Sequence, residues 1–160
     1  MAHDFKFCPK CGSALTTKEH HGRERAVCTC GFVHWGNPTP VVAAIIEHEG
    51  QMLLARGKGW PEKVFALVTG FLEAGETPEA GVLREVKEET NLDGEVVSLV
   101  GVYPFEVRNE LIVAFHVKTR GEVKLSDELE AIKLIPKEKL KAWPFGTGLA
   151  VQAWLDRHRG

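Results

Sequence analysis

The stretch Gly70–Leu92, GFLEAGETPEAGVLREVKEETNL, decides how the rest of the chain is read. Thr77 is suited to an N-cap, Pro78 fits the first helical position where its missing N–H costs nothing, and only Gly81 interrupts the run that follows. The pattern predicts a helix from about Pro78 to Thr90. On that helix Glu85, Glu88 and Glu89 fall three and four residues apart and share an arc of about 100°. Val82, Leu83 and Val86 lie beside the arc and can face a core. Carboxylates about 4 Å apart repel by about 4 kcal/mol per pair at an effective dielectric of about 20, so helix propensity alone does not favour the cluster. A hard cation such as Mg²⁺ or Mn²⁺ resolves it. The plain alternative is a solvated, glutamate-rich face partnered by Arg84 and Lys87.

The upstream half of the stretch decides between these readings. Gly70, five residues, Glu76, seven residues, and then Arg84-Glu85-Val86-Lys87-Glu88-Glu89-Thr90-Asn91-Leu92 closely resembles the Nudix box, GX5EX7REUXEEXGU with U a large aliphatic residue. Asn91 replaces the family's glycine, and asparagine is the non-glycine residue that best tolerates the left-handed conformation expected at a helix end. The resemblance implies an α/β fold, a mixed sheet sandwiched between helices. It implies that Glu85 and Glu89, with Glu88, hold divalent metals, that the Gly70 carbonyl adds a ligand, and that Glu76 pairs with Arg84 to brace the loop against the helix. Glu76, Arg84, Glu88 and Glu89 are the implied catalytic set. The reaction would be hydrolysis of a phosphoanhydride by a water oriented in line with one phosphorus. Its base is either Glu88 or a carboxylate from a later loop. In Ser126-Asp127-Glu128-Leu129-Glu130, Asp127 is the expected extra acidic ligand, with Glu128 nearly as good; a polar turn before a strand is the alternative reading.

Composition agrees with an ordinary soluble enzyme. At 160 residues, 44% hydrophobic and net charge −2, the chain can bury one sizeable core plus a small appendage. No apolar run approaches 18 residues and no export signal opens the sequence, so a cytoplasmic protein without membrane insertion is expected. Lysines and arginines are scattered, which weighs against a nucleic-acid partner.

All four cysteines fall near the start, as Cys8-Pro-Lys-Cys11-Gly and Cys28-Thr-Cys30-Gly, on either side of a short polar segment centred on His20, His21 and Gly22. This reads as a small zinc ribbon in which a hairpin between two turns closes a tetrahedral, structural Zn²⁺ site. The second cysteine pair is one residue short, and His20, His21 or His34 are candidate substitute ligands. A disulfide framework is the alternative, disfavoured by the missing export signal.

The linker Trp35–Pro40 separates this ribbon, residues 1–36, from the main domain, residues 37–160. Val41–Glu47 and Gln51–Ala55 read as a β-hairpin around His48-Glu49-Gly50. Gly94–Tyr103 and Glu110–Thr119 read as strands, Glu122–Lys124 as a hairpin extension, Ala131–Ile135 as a short strand, Pro136–Leu140 as a helical turn, and Gly148–Arg157 as a final amphipathic helix. A zinc ribbon followed by a Nudix domain resembles the NADH and FAD pyrophosphatase subgroup from Cys8 to Ile135. That subgroup carries an SQPWPFP array after the box, of which Gly101–Val107, GVYPFEV, keeps only part. Trp143-Pro144-Phe145 lies some forty residues later than that array and reads as a core contact near the last helix. Among the aromatics, Phe71, Tyr103 and Phe105 are the candidates to stack on a substrate ring. The implied substrate is a small nucleotide: a dinucleotide such as FAD or NADH, or ADP-ribose, cleaved to release a nucleoside monophosphate. Members of the subgroup are commonly homodimers. The alternatives are a nucleotide-sensing module without activity, and a hydrolase of capped RNA ends whose ribbon is a nucleic-acid or protein adaptor; Lys6, Lys10, Lys18, Arg23 and Arg25 make the ribbon basic enough for it, and salt-dependent RNA binding would distinguish it.

Overall fold

A tight turn at His21-Gly22, with φ of 52° and 74°, folds Thr16–His20 (β1) antiparallel onto Arg23–Val27 (β2). In the computed structural model, which describes residues 5–158, this hairpin belongs to a small unit that ends at Pro38; a larger unit begins at Thr39. Single bridges, Phe7 to Ala14 and Val27 to Val33, close a turn on each side of the hairpin.

The larger unit is organised by its most apolar run, Thr39–His48 (β3). Odd and even residues of that run are both buried: Val41, Ala43 and Ile45 join one core cluster, and Val42, Ala44 and Ile46 join another. A strand apolar on both sides must lie inside a sheet covered on both faces. β3 does so. It turns through Glu49-Gly50, with φ of 49° and 76°, into Gln51–Gly57 (β4), a turn whose two positive φ values suit the twist of a hairpin. Val68–Phe71 (β5) pairs antiparallel with the first half of β3. Pro78–Thr90 forms helix α1, followed by Asp93–Phe105 (β6), Glu110–Arg120 (β7) and Leu129–Pro136 (β8), and Gly148–His158 forms helix α2. The sheet order is β6-β7-β3-β4-β8, with β5 beside β3; the β3–β7 pair is parallel and the rest antiparallel. Val82 and Val86 of α1 pack on one face, and Ala150, Val151, Trp154 and Leu155 of α2 on the other. The result is the expected α/β/α sandwich with a mixed sheet.

Two expectations need correction. Thr39 and Pro40 belong to β3 rather than to an irregular linker, Pro40 standing at the strand's start where a missing N–H is tolerated. Glu122–Lys124 extends no hairpin. The Lys124 and Ser126 N–H groups instead donate to the Thr90 and Glu89 carbonyls at 2.9 and 3.0 Å, filling acceptors left open at the end of α1. The helical turn expected over Pro136–Leu140 is present as the 3₁₀ turn Lys137–Lys139, bounded by Pro136 and Leu140. Among the described residues no helix is long and apolar enough to cross a membrane.

Candidate active site

Helix α1 starts where Thr77 accepts a hydrogen bond from the Ala80 amide at 3.2 Å, and ends at Asn91, left-handed at φ 63°, whose amide donates to the Lys87 carbonyl. Both ends are therefore fixed, and so is the rotation of the helix. Val82 and Val86 point into the core, which turns Arg84, Glu85, Glu88 and Glu89 toward β5.

Arg84 is the hub. Its Nε and Nη2 donate to the two Glu76 carboxylate oxygens at 2.8 and 3.0 Å, Nη1 donates to Glu85 at 2.7 Å and to Glu88 at 3.2 Å, and Nη2 also reaches the Phe71 carbonyl at 3.1 Å. Glu76 further accepts from the Glu73 amide at 3.1 Å. This two-pronged pair ties the Phe71–Thr77 loop to the helix, and it has the geometry in which guanidinium and carboxylate interact most strongly. Hydrogen bonds from Arg84 hold the Glu76 carboxyl below its ordinary value.

Gly70 lies under Glu85, and a Cβ built on Gly70 would fall on the Glu85 carboxylate. Only glycine lets the two come that close. Burial raises the Glu85 carboxyl in spite of its bond to Arg84, and burial, ahead of the charges of Glu85, Glu128 and Glu88, pushes Glu89 up to about 7. The carboxylates are thus held together without enough positive charge to balance them. Oxygen donors at one place, with excess negative charge, fit a hard divalent cation.

These groups line a cleft of about 470 Å³ that also holds Phe71, Glu73, Arg108, Glu110, Ser126 and Glu128. Asp127 is not there. Its side chain is fully exposed, 3.9 Å from Lys58, whereas the neighbouring Glu128 lines the cleft and acts electrostatically on Glu85 and Glu89. The loop is anchored to α1 by the Ser126 amide, and this long-range tether decides which carboxylate faces inward. Spacing in the sequence does not reveal it.

A second groove of about 490 Å³ opens beside the first and shares Val41, Thr69, Arg108 and Glu110 with it. Trp60, Phe65, Phe105, Trp143 and Phe145 line it. Of the aromatics singled out from sequence, Phe71 is in the carboxylate cleft and Phe105 in this groove. Tyr103 lines neither, because it packs against the core under α2. Trp143 also packs on that core, but Phe145 is 64% exposed and faces the groove, so only half of the core reading of Trp143-Pro144-Phe145 holds. Arg108 and Glu110 carried no signal in the sequence beyond following the array-like segment.

In the smaller unit, Cys8, Cys11, Cys28 and Cys30 are free thiols whose sulfurs all lie within 4.8 Å of one another, with Cys8–Cys30 at 3.6 Å and Cys11–Cys28 at 3.5 Å. Sulfurs about 2.3 Å from a tetrahedral ion stand about 3.8 Å apart, so the set fits Zn²⁺. The short second pair is accommodated by Gly31 at φ 89°, whose amide donates back to the Cys28 carbonyl. His20, His21 and His34 are not part of the cluster. Ser13 pulls the Cys11 thiol down to about 6. Cys30, although the Phe32 amide bonds to it and lowers it, is pushed up to about 11 by Cys28, burial and the other sulfurs. Four adjacent thiols cannot all ionise without a cation to share.

A family model described as NUDIX domain matches residues 18–151. A protein named NAD-capped RNA hydrolase NudC from Vibrio atlanticus (strain LGP32) is 30% identical over 118 residues, 72% of this chain and 42% of that protein. One of the same name from Pseudomonas aeruginosa (strain LESB58) is 27% identical over 160 residues, 97% of this chain and 57% of that protein. The chain spans about half the length of these curated relatives. The crystal structure of a NUDIX hydrolase from Nitrosomonas europaea superposes with a TM-score of 0.80 at 25% identity, covering 97% of this chain and 94% of that one. An ADP-ribose pyrophosphatase from Streptococcus suis 89-1591 shares the fold, with a TM-score of 0.62 at 21% identity over 78% of this chain and 94% of that one.

Proposed function

This chain is a member of the NUDIX family, and from that premise we propose that it hydrolyses the pyrophosphate of a nucleoside diphosphate joined to a second moiety, releasing a nucleoside monophosphate. The observation that carries this reading is the juxtaposition of the two clefts. A carboxylate cleft suited to cations and phosphates runs into an aromatic groove suited to a ring, with Arg108 and Glu110 common to both. A dinucleotide has that same order of charged centre and flat arm. The NAD-capped RNA hydrolases among the relatives favour an NAD-type dinucleotide over the other candidates.

Glu85, Glu88 and Glu89, with the Gly70 carbonyl, would hold Mg²⁺ or Mn²⁺. When bound, the cations supply charge neutralisation of the pyrophosphate and activation of a water. The chain's own part is positional. Arg84 fixes Glu85 and Glu88 from one side, Glu76 fixes Arg84, and the loop carrying Glu128 closes the other side. The water's proton would go to Glu88, whose side chain is more than half exposed, or to Glu128, and both line the cleft. Exchanging Glu128 for Gln is expected to lower kcat by about tenfold or more, and Asp127→Asn to leave it unchanged. A loss confined to Asp127→Asn would return the role to Asp127.

The raised Glu89 carboxyl gives a pH dependence with a defined sign. Below pH about 7 Glu89 keeps its proton, and a cation has to displace it, so Mg²⁺ affinity rises as pH passes upward through that value. In the cation-free chain the same shift works the other way. A carboxyl raised by folding stabilises the fold at low pH, and that contribution is lost between its ordinary value and about 7. Melting curves at pH about 5 and about 8, without and with added Mg²⁺ and with the zinc left in place, should show the Mg²⁺ gain only at the higher pH. An equal gain at both would rule out Glu89 as a ligand.

For the cysteine cluster we propose one tightly held Zn²⁺ per chain, structural because four protein ligands leave no open position. Metal analysis of freshly purified protein should return one zinc, and none in Cys11→Ser combined with Cys28→Ser. This chain purified free of zinc yet with an intact ribbon would remove this reading.

The reaction is tested with a panel of NADH, FAD, ADP-ribose, an NAD-capped RNA and nucleoside triphosphates. Release of a nucleoside monophosphate from one dinucleotide supports the proposal. Binding of nucleotides with no cleavage of any would make the domain a sensing module.

A further inference from the structure

The β1–β2 hairpin has two chemically different faces. In its register Lys18 opposes Arg25 and His20 opposes Arg23, so these four side chains share one face, while Glu19 opposes Glu24 on the other. Trp35, 46% exposed, stands at the basic face: the Arg25 guanidinium is 4.9 Å from its ring centroid, the His20 ring 5.3 Å away edge-on, and the His21 ring 6.1 Å away and roughly parallel. The Arg25 guanidinium also donates to the Trp35 carbonyl, which fixes the tryptophan at the strand. Neither the thiol cluster nor the carboxylate cleft uses this face.

Net charge over the whole chain hides the feature. The acidic excess lies in residues 39–160, whereas residues 1–38 contain Lys6, Lys10, Lys18, Arg23 and Arg25 against Asp4, Glu19 and Glu24. Lys18 and Arg23 are exposed, and the two glutamates of the hairpin are turned away from them. Positive charge on one face, interleaved with exposed aromatic rings, is the combination that follows a polyanionic backbone while stacking its bases.

We propose that this face binds single-stranded nucleic acid, with Lys18, Arg23 and Arg25 toward phosphates and the Trp35–His21 patch stacking bases. The site goes beyond the hydrolysis proposed above and does not rest on it. The sheet register gathers on one face basic residues that the sequence spreads.

The test uses the full chain without added Mg²⁺, its zinc left in place, and an uncapped, fluorescein-labelled oligouridylate, which carries no pyrophosphate to hydrolyse. The intact protein should bind it with an affinity that falls as salt rises. Lys18→Gln and Arg23→Gln should each lower the slope of log affinity against log salt by about 0.7, and Trp35→Ala should cost about tenfold in affinity. Lys133→Gln with Lys139→Gln, in residues 39–160, should change neither. Retained zinc content and melting temperature would show that the variants fold. On the unmodified chain, amide shifts during the titration should concentrate at residues 18–25 and 35. Absence of binding at low salt, shifts located elsewhere, or equal losses in the control pair would overturn the proposal. A parallel oligodeoxythymidylate tells whether RNA is preferred; stronger binding of duplex DNA than of either single strand would also overturn it.

Discussion

Replacing Glu89 by Gln is expected to cut turnover by about a hundredfold or more while leaving the fold in place. Glu89 sits at the point where burial and three neighbouring carboxylates all act against its negative charge, enough to bring its carboxyl up to about 7. Glutamine keeps the size of the side chain and removes the charge. The cation-free protein should therefore be as stable as the parent at neutral pH or more so, because one member of a repelling cluster has been neutralised. Loss of activity with gain of cation-free stability separates a ligand from a structural glutamate, which would show loss of both. Thermal melts in chelator and steady-state rates in Mg²⁺ supply the two readings.

Gly70→Ala should be nearly as damaging by a different route. The backbone at Gly70 is ordinary strand, paired with Val42 of β3, so alanine brings no conformational strain. Its methyl group would instead occupy the place of the Glu85 carboxylate. The far end of a glutamate can swing away at little cost to the core. That movement, however, breaks the 2.7 Å bond to Arg84 and takes a carboxylate out of the cation cluster. We expect kcat to fall by about a hundredfold, a higher Mg²⁺ requirement, and a melting temperature close to that of the parent. Unchanged Mg²⁺ dependence in a folded Gly70→Ala protein would mean that Glu85 is not a ligand.

What could be read from the sequence was local. Thr77, Pro78 and Asn91 mark both ends of α1 within one segment, and the helical spacing of Glu85, Glu88 and Glu89 needs no distant partner to place them together. The apolar run of β3 announced a strand, and its burial on both faces followed from having no polar alternation. The features that escaped depend on long-range geometry. Glu128 rather than Asp127 faces the cleft because the Ser126 amide is held by the Glu89 carbonyl across the fold. Phe105 and Phe145 share a groove although forty residues part them, with Gly146 lying against the Phe105 ring. The short Cys28–Cys30 pair was the weakest part of the ribbon on spacing alone, yet in a turn closed by the Gly31 amide on the Cys28 carbonyl both of its sulfurs join the cluster. The basic face of the hairpin likewise emerges only from the pairing of β1 with β2.

The central claim is that the carboxylate cleft holds divalent cations for phosphoanhydride hydrolysis. Its most direct test is to strip the protein with chelator, add an NAD-type dinucleotide, and follow the products by chromatography before and after Mg²⁺ is restored. The account predicts no cleavage in chelator, two mononucleotides on adding Mg²⁺, and neither product from Glu89→Gln. Equal cleavage in chelator, or full cleavage by Glu89→Gln, would contradict it.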